Sequence, residues 1–152
     1  MAYITINKNN FFHNLDIITN KTKSKDKVAI VLKDNAYGHG LLEIASMASE
    51  YGITKAVVRD EDEANKIKEY FDYILILADI PQNTDAKFHY TINDLKTLHN
   101  FSSKTKVELK VDTGMHRNGV GMDELGEAKK LIKKYDLNLK AVFTHHRSAD
   151  EL

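Results

Sequence analysis

The chain has 152 residues, 42% hydrophobic and 29% charged, which are the proportions of an ordinary globular domain able to bury a core. Its 22 basic and 22 acidic side chains cancel, so no global field favours nucleic acid or an anionic membrane, and a small-molecule ligand is the expected partner. The absence of cysteine excludes disulfides, thiolate catalysis and Cys-type zinc or iron-sulfur sites. With no basic-apolar leader and no apolar run of membrane-spanning length, the cytoplasm is the expected compartment.

In chain order, "YITI" at 3–6 reads as a short strand, and Asn7 can cap a helix with Phe11, Leu15 and Ile18 on its apolar stripe. After the polar "KTKSKD" turn, "VAIVL" at 28–32 reads as a strand buried on both faces, followed by a helix carrying Leu41, Ile44, Ala45 and Ala48 inward. "KAVV" at 55–58 follows, and Asp60 with Glu63 three residues on resembles a capping box before Ala64, Ile67 and Phe71. "YILIL" at 73–77 is another buried strand, leading into the loop around Pro81, the single proline. "FHYTI" at 88–92 precedes a short helix with Asn93 as its cap and Leu95 and Leu98 inward. "VELKV" at 107–111 precedes a longer helix with Leu125, Ala128, Leu131, Ile132 and Tyr135 at helical spacing, and "LKAVFTHH" at 139–146 is the last strand.

This alternation implies the α/β class with a parallel sheet and no internal domain linker. About six βα-type strands follow the first short one. A closed (β/α)8 barrel needs eight strands and about 250 residues, so length alone favours an open doubly wound sheet, whereas the motifs favour an incomplete (β/α)8 TIM-type barrel with roughly six of eight strands present.

In parallel α/β folds function collects at the carboxyl ends of strands. Lys33 ends "VAIVL", where a lysine is costly to desolvate. Lys110 lies in "VELKV", followed by "DTGMHRNG" with Arg117, and His145 ends "AVFTH". Alone, each reads as a snorkelling cation or a core histidine satisfied by backbone. Together they point to one anionic ligand. His146 projects to the other face of its strand, so the His-His pair is a poor metal site and no metal is expected.

"VLKDNAYGHG" at 31–40 closely resembles the signature of bacterial alanine racemases, "LKVDTGMHRNG" at 109–119 resembles their second motif and "VFTHHRSADE" at 142–151 their third, all in the family's order. The "INKNNFFHNL" opening also fits. The resemblance covers residues 1–152 as the N-terminal portion of the pyridoxal-phosphate-binding barrel domain (fold type III), without the C-terminal β domain. It implies racemisation of L- and D-alanine with pyridoxal 5'-phosphate, supplying D-alanine for peptidoglycan, by a homodimer with no role for nucleic acid or membrane.

Residue by residue, the resemblance implies that Lys33 holds the cofactor as a Schiff base and acts as base or acid on one face of the substrate Cα. Tyr37 would donate its hydroxyl to the cofactor phosphate, with the amides near Gly38 and Gly40 also suited to an anion. Arg117 would bond the cofactor's phenolic oxygen and the substrate carboxylate, His145 would lie beside the pyridine ring, and Lys110 would be carbamylated, or else point outward. Asp34 stands where a small residue is usual in the family, and His116 where glycine is usual.

The family's second base, a tyrosine from the partner subunit's C-terminal domain, its late-barrel arginine and its last phosphate loops have no counterpart in the 152 residues, so the chain alone is expected to be inactive. The alternative from another class is a non-catalytic pyridoxal-phosphate carrier or an open α/β binding module. A carrier has no need of Arg117 and Lys110, which would handle a substrate carboxylate.

Overall fold

The computed structural model describes residues 3–82 and 85–148. They divide into two compact units, Met1–Leu77 and Ala78–Leu152, each built from parallel strands and intervening helices.

The first unit opens with α1 (Lys8–Thr22), capped as expected by Asn7, whose side chain accepts from the Asn10 amide at 3.0 Å. Its buried side chains are Leu15 and Thr19, and Ile18 is exposed, so the apolar stripe is rotated from the expected one. Residues 3–6 form no strand. Tyr3 and Ile4 lie in solvent, and a β-like run without a neighbouring strand has no partners for its backbone groups.

Strands β1 (Ile30–Val31), β2 (Lys55–Val58) and β3 (Tyr73–Ile76) lie side by side in chain order, all parallel. β1 is far shorter than the apolar run 28–32, and Val31 is 41% exposed, so this strand is not buried on both faces. Its continuation is still anchored, because the Leu32 amide donates to the Val57 carbonyl at 2.8 Å. β3 does bury both faces, with Ile74, Leu75 and Ile76 inside.

Between β1 and β2, α2 (Lys33–Tyr37) is one short turn and α3 (Leu41–Tyr51) buries Leu41, Ile44, Ala45 and Ala48, the four residues its spacing singles out. Between β2 and β3, α4 (Glu61–Ile67) is capped by Asp60, whose carboxylate accepts from the Glu63 amide at 3.0 Å. The box is only half made, since the Glu63 carboxylate goes elsewhere. Ile67, Phe71, Ile74 and Ile76 complete the core, and each such side chain removed from water contributes about 1.5–3 kcal/mol.

In the second unit β4 (Phe88–Ile92), β5 (Lys106–Lys110) and β6 (Asn138–Phe143) again pair in parallel in chain order, with a register shift between Val107 and Glu108. The short helix after β4 is a 3-10 helix, Leu95–Asn100, capped by Asp94 and not by Asn93. The Asn93 carbonyl instead accepts from the Gly119 amide, while the Asp94 carboxylate takes the Lys96 amide at 2.7 Å. A 3-10 turn, Met122–Glu124, precedes α5 (Leu125–Lys134), which buries Ala128 and Ile132. β6 is exposed along most of its length.

Neither unit shows a reversal of strand order, the feature that defines a doubly wound sheet, and both follow the sequential order of a barrel. Among the described residues no helix is long and apolar enough to cross a membrane.

Candidate active site

In the first unit the loop after β1 carries Lys33 and Tyr37. Asp34, Asn35, Ala36 and Tyr37 all have φ between 52° and 56°, so the chain makes one left-handed helical turn from four non-glycine residues. That conformation costs about 1–2 kcal/mol per residue, and it persists only where its surroundings over-determine it. The supports are visible: the Ala36 amide donates to the Leu32 carbonyl at 2.8 Å, the Gly38 amide to the Asp34 carbonyl at 3.1 Å, and the Leu41 amide to Asn35 Oδ1 at 2.8 Å. Gly38 and Gly40, also at positive φ, release the chain into α3.

The turn brings Lys33 and Tyr37 together, with Nζ 5.8 Å from the phenol ring centroid. Lys33 is half-buried, less than a strand interior would make it, and Tyr37 is exposed. The neighbouring acids do not neutralise Lys33. Asp34 pairs with Arg59 Nη1 at 2.5 Å, and Glu63 accepts from the Asn35 and Arg59 amides. Among the described residues Lys33 forms no ion pair. The unusual Asp34 therefore serves the loop's anchorage, in company with Arg59, which also pairs with Asp60.

In the second unit Lys110 closes β5 and is buried, not turned outward to solvent. Glu108, two residues earlier and so on the same strand face, is buried too and bonds His89 Nδ1 across from β4 at 2.9 Å. Beyond Lys110 the chain folds back on itself, because the Val120 amide donates to the Lys110 carbonyl at 2.8 Å and the Asp112 amide to the Val120 carbonyl at 2.9 Å. Asp112 organises the loop from inside, accepting from the Gly114 and His116 amides at 2.9 and 3.0 Å. These bonds, Gly114 first, hold its carboxyl below the ordinary carboxylate range.

His116 has φ 53°, the left-handed region, which explains why glycine suits that position; its ring lies 3.4 Å from Asp112 Oδ2. Arg117 is exposed, pairs with no carboxylate among the described residues, and lines a surface pocket with Asn93, Lys96 and Asn118. His145 lies just past β6 and is exposed, as is His146, so it is not a core histidine. The loops after β5 and β6 are tied by a 2.7 Å hydrogen bond between the Thr113 and Thr144 hydroxyls, which puts the 112–119 loop and the approach to His145 side by side. Residues 149–151, the end of the third motif, lie outside the described residues. No cluster of three potential metal ligands occurs among the described residues.

A family model described as "Alanine racemase, N-terminal domain" matches residues 6–152. The chain belongs to the alanine racemase family. Curated alanine racemases from a Nitratiruptor species and from Campylobacter concisus are 51% and 45% identical to it, each over the whole chain and 45% of the relative's length. The chain thus spans about half the length of the curated relatives it matches.

Solved alanine racemases share the fold. The Bacillus anthracis enzyme with bound L-Ala-P gives a TM-score of 0.82 at 26% identity, over 99% of this chain and 45% of that one. The Oenococcus oeni enzyme gives 0.73 at 32% identity, over 97% and 41%. The six parallel strands with their helices are an α/β fold, an incomplete barrel relative to these alanine racemases. A histidine racemase from Leuconostoc mesenteroides also matches, with a TM-score of 0.77 at 25% identity over 91% of this chain and 41% of that one.

Sequence reasoning singled out Lys33, Tyr37, Lys110, Arg117 and His145 as candidates, and passed over Glu63, Asp112 and the Thr113–Thr144 tie. Glu63 was hidden in the capping-box reading of Asp60-x-x-Glu63. Asp112 had a signal, an Asx-type acid two residues before a glycine.

Proposed function

We propose that this chain is the N-terminal portion of a pyridoxal 5'-phosphate-dependent racemase acting on L- and D-alanine, supplying D-alanine for peptidoglycan and working as a homodimer. The observation that carries the reading is Lys33: half-buried at a strand end, against a phenol, with both nearby carboxylates engaged by other groups. A primary amine so placed fits an aldehyde cofactor, and the unpaired Arg117 guanidinium fits an anion. When bound, pyridoxal 5'-phosphate supplies an aldehyde that condenses with a primary amine, losing water, and an electron-poor ring that stabilises negative charge at the substrate Cα.

In the first unit Lys33 would hold the cofactor and, as the neutral amine, take the proton on one face of the substrate Cα or, as the ammonium, return it, while Tyr37 would donate its hydroxyl to the phosphate. In the second unit Arg117 would bind the substrate carboxylate and the cofactor's phenolic oxygen through its planar fork, and His145 would lie beside the pyridine ring. Carbon dioxide adding to neutral Lys110 Nζ, with release of one proton, would convert this buried cation into an anion that orients Arg117. The proton on the opposite face of Cα requires a second acid-base group from outside these residues.

The test is solvent deuterium incorporation at Cα, with a D-alanine assay, on the longest reading frame that contains this chain. Racemisation with deuterium exchange is expected, and Lys33→Ala should lower it by at least about 100-fold. A Lys33→Ala protein with ordinary turnover would overturn the reading. A panel that includes histidine fixes the substrate: preference for an amino acid other than alanine would remove the alanine assignment and leave the racemase class.

A further inference from the structure

The geometry points to Glu63 as the positioning residue for Lys33, a carboxylate clamp that holds the left-handed turn in register. This rests on the reading of Lys33 given above. Glu63 sits in the first turn of α4 and is only 6% exposed. Its two oxygens accept from two backbone amides on different loops: Oε1 from Asn35 at 2.9 Å, after β1, and Oε2 from Arg59 at 3.0 Å, after β2. One buried side chain therefore couples the turn that carries the reactive amine to the end of the neighbouring strand.

Asn35 is the second residue of the left-handed run and two residues beyond Lys33. Its amide, once held by Glu63, fixes the Asp34–Asn35 peptide, the link next to Lys33, and with it the left-handed turn that Lys33 opens. Asn35 then passes the constraint on through its own side chain, which takes the Leu41 amide, and its carbonyl, which takes the Gly40 amide at 3.1 Å. A second link runs outside the clamp, from Asp34 to Arg59, but both of its side chains are about half exposed and solvent screens it. The buried carboxylate is the stronger constraint, because its hydrogen bonds are charge-assisted and an orphaned buried amide is costly.

Glu63→Gln keeps the shape but can accept at one oxygen only, and its NH2 would face the other amide. Two measurements on the 152-residue chain test the clamp. In the unchanged chain the Asn35 and Arg59 amides should exchange with deuterium as slowly as those of β2; Asn35 exchanging like an open loop would overturn the proposal without any variant. In Glu63→Gln, Asn35 exchange should quicken at least tenfold, and borohydride-trapped labelling of Lys33 by pyridoxal 5'-phosphate should slow at least tenfold. The melting temperature should fall much less than it does when a core residue such as Ile67 is truncated. Arg59→Ala, which removes the pairs with Asp34 and Asp60 but leaves the residue-59 backbone amide on Glu63, should change the labelling rate less than threefold. A folded Glu63→Gln chain that labels Lys33 at the unchanged rate would overturn the clamp. Labelling confined to other lysines in the unchanged chain would instead refute the role of Lys33, with amide exchange still deciding the clamp.

Discussion

Gly119 sits at φ 128°, where a Cβ would stand 2.8 Å from the Asp112 amide nitrogen and 3.2 Å from the Lys110 carbonyl oxygen. Both are backbone atoms engaged in the pairing that closes the Arg117 loop, so neither can yield cheaply. Gly119→Ala is expected to destabilise the second unit by about 1–3 kcal/mol and to weaken any anion binding by Arg117, read by urea unfolding and by phosphate titration. An alanine variant as stable as the unchanged chain would show that the loop can reopen without penalty. At this scale two unusual residues were legible in the sequence: a lysine after an apolar run and an arginine in a glycine-rich loop. The residues that aim them were not legible, because Glu63 and Asp112 act by accepting backbone amides whose positions exist only after folding.

The elements show the same division. Spacing identified α3 residue by residue, since a 3.6-residue period needs nothing beyond the helix itself. It misjudged β1 and residues 3–6, where strand character depends on partners that no local pattern reveals. Caps were legible by residue type, though the helix after β4 is capped by Asp94 where Asn93 was expected.

Two acids that fasten elements give a pH dependence. Hydrogen bonds hold Asp60 (from the Glu63 amide, then the Arg59 side chain) and Asp112 (from the Gly114 amide, then the His116 amide) below the ordinary carboxylate range. Their folded pKa values lie below the unfolded value of about 3.9, so their stabilisation is fully present above that value and is lost as pH falls through the folded ones. The urea midpoint should therefore stay level from neutrality down to about pH 5 and fall below about pH 4, and Asp112→Asn should remove part of that fall. A midpoint that rose on acidification would contradict the assignment.

For the whole molecule, β1 and β6 each pair with a strand on one side only among the described residues, and Val31, Leu139 and Val142 present apolar side chains to solvent nearby. Unpaired strand edges beside exposed apolar groups favour association. The 152-residue chain is expected to elute from size exclusion as dimers or larger species whose share rises with concentration; a monomer at all concentrations would show that these edges are protected. The parallel α/β class was legible in the βα alternation and the incomplete barrel only in the motifs, and the solved relatives share that fold. Reduction with borohydride after incubation with pyridoxal 5'-phosphate, followed by peptide mapping, bears most directly on the role given to Lys33. The cofactor should be fixed on Lys33 well ahead of the chain's other lysines, and label spread over the other lysines with none at Lys33 would contradict it.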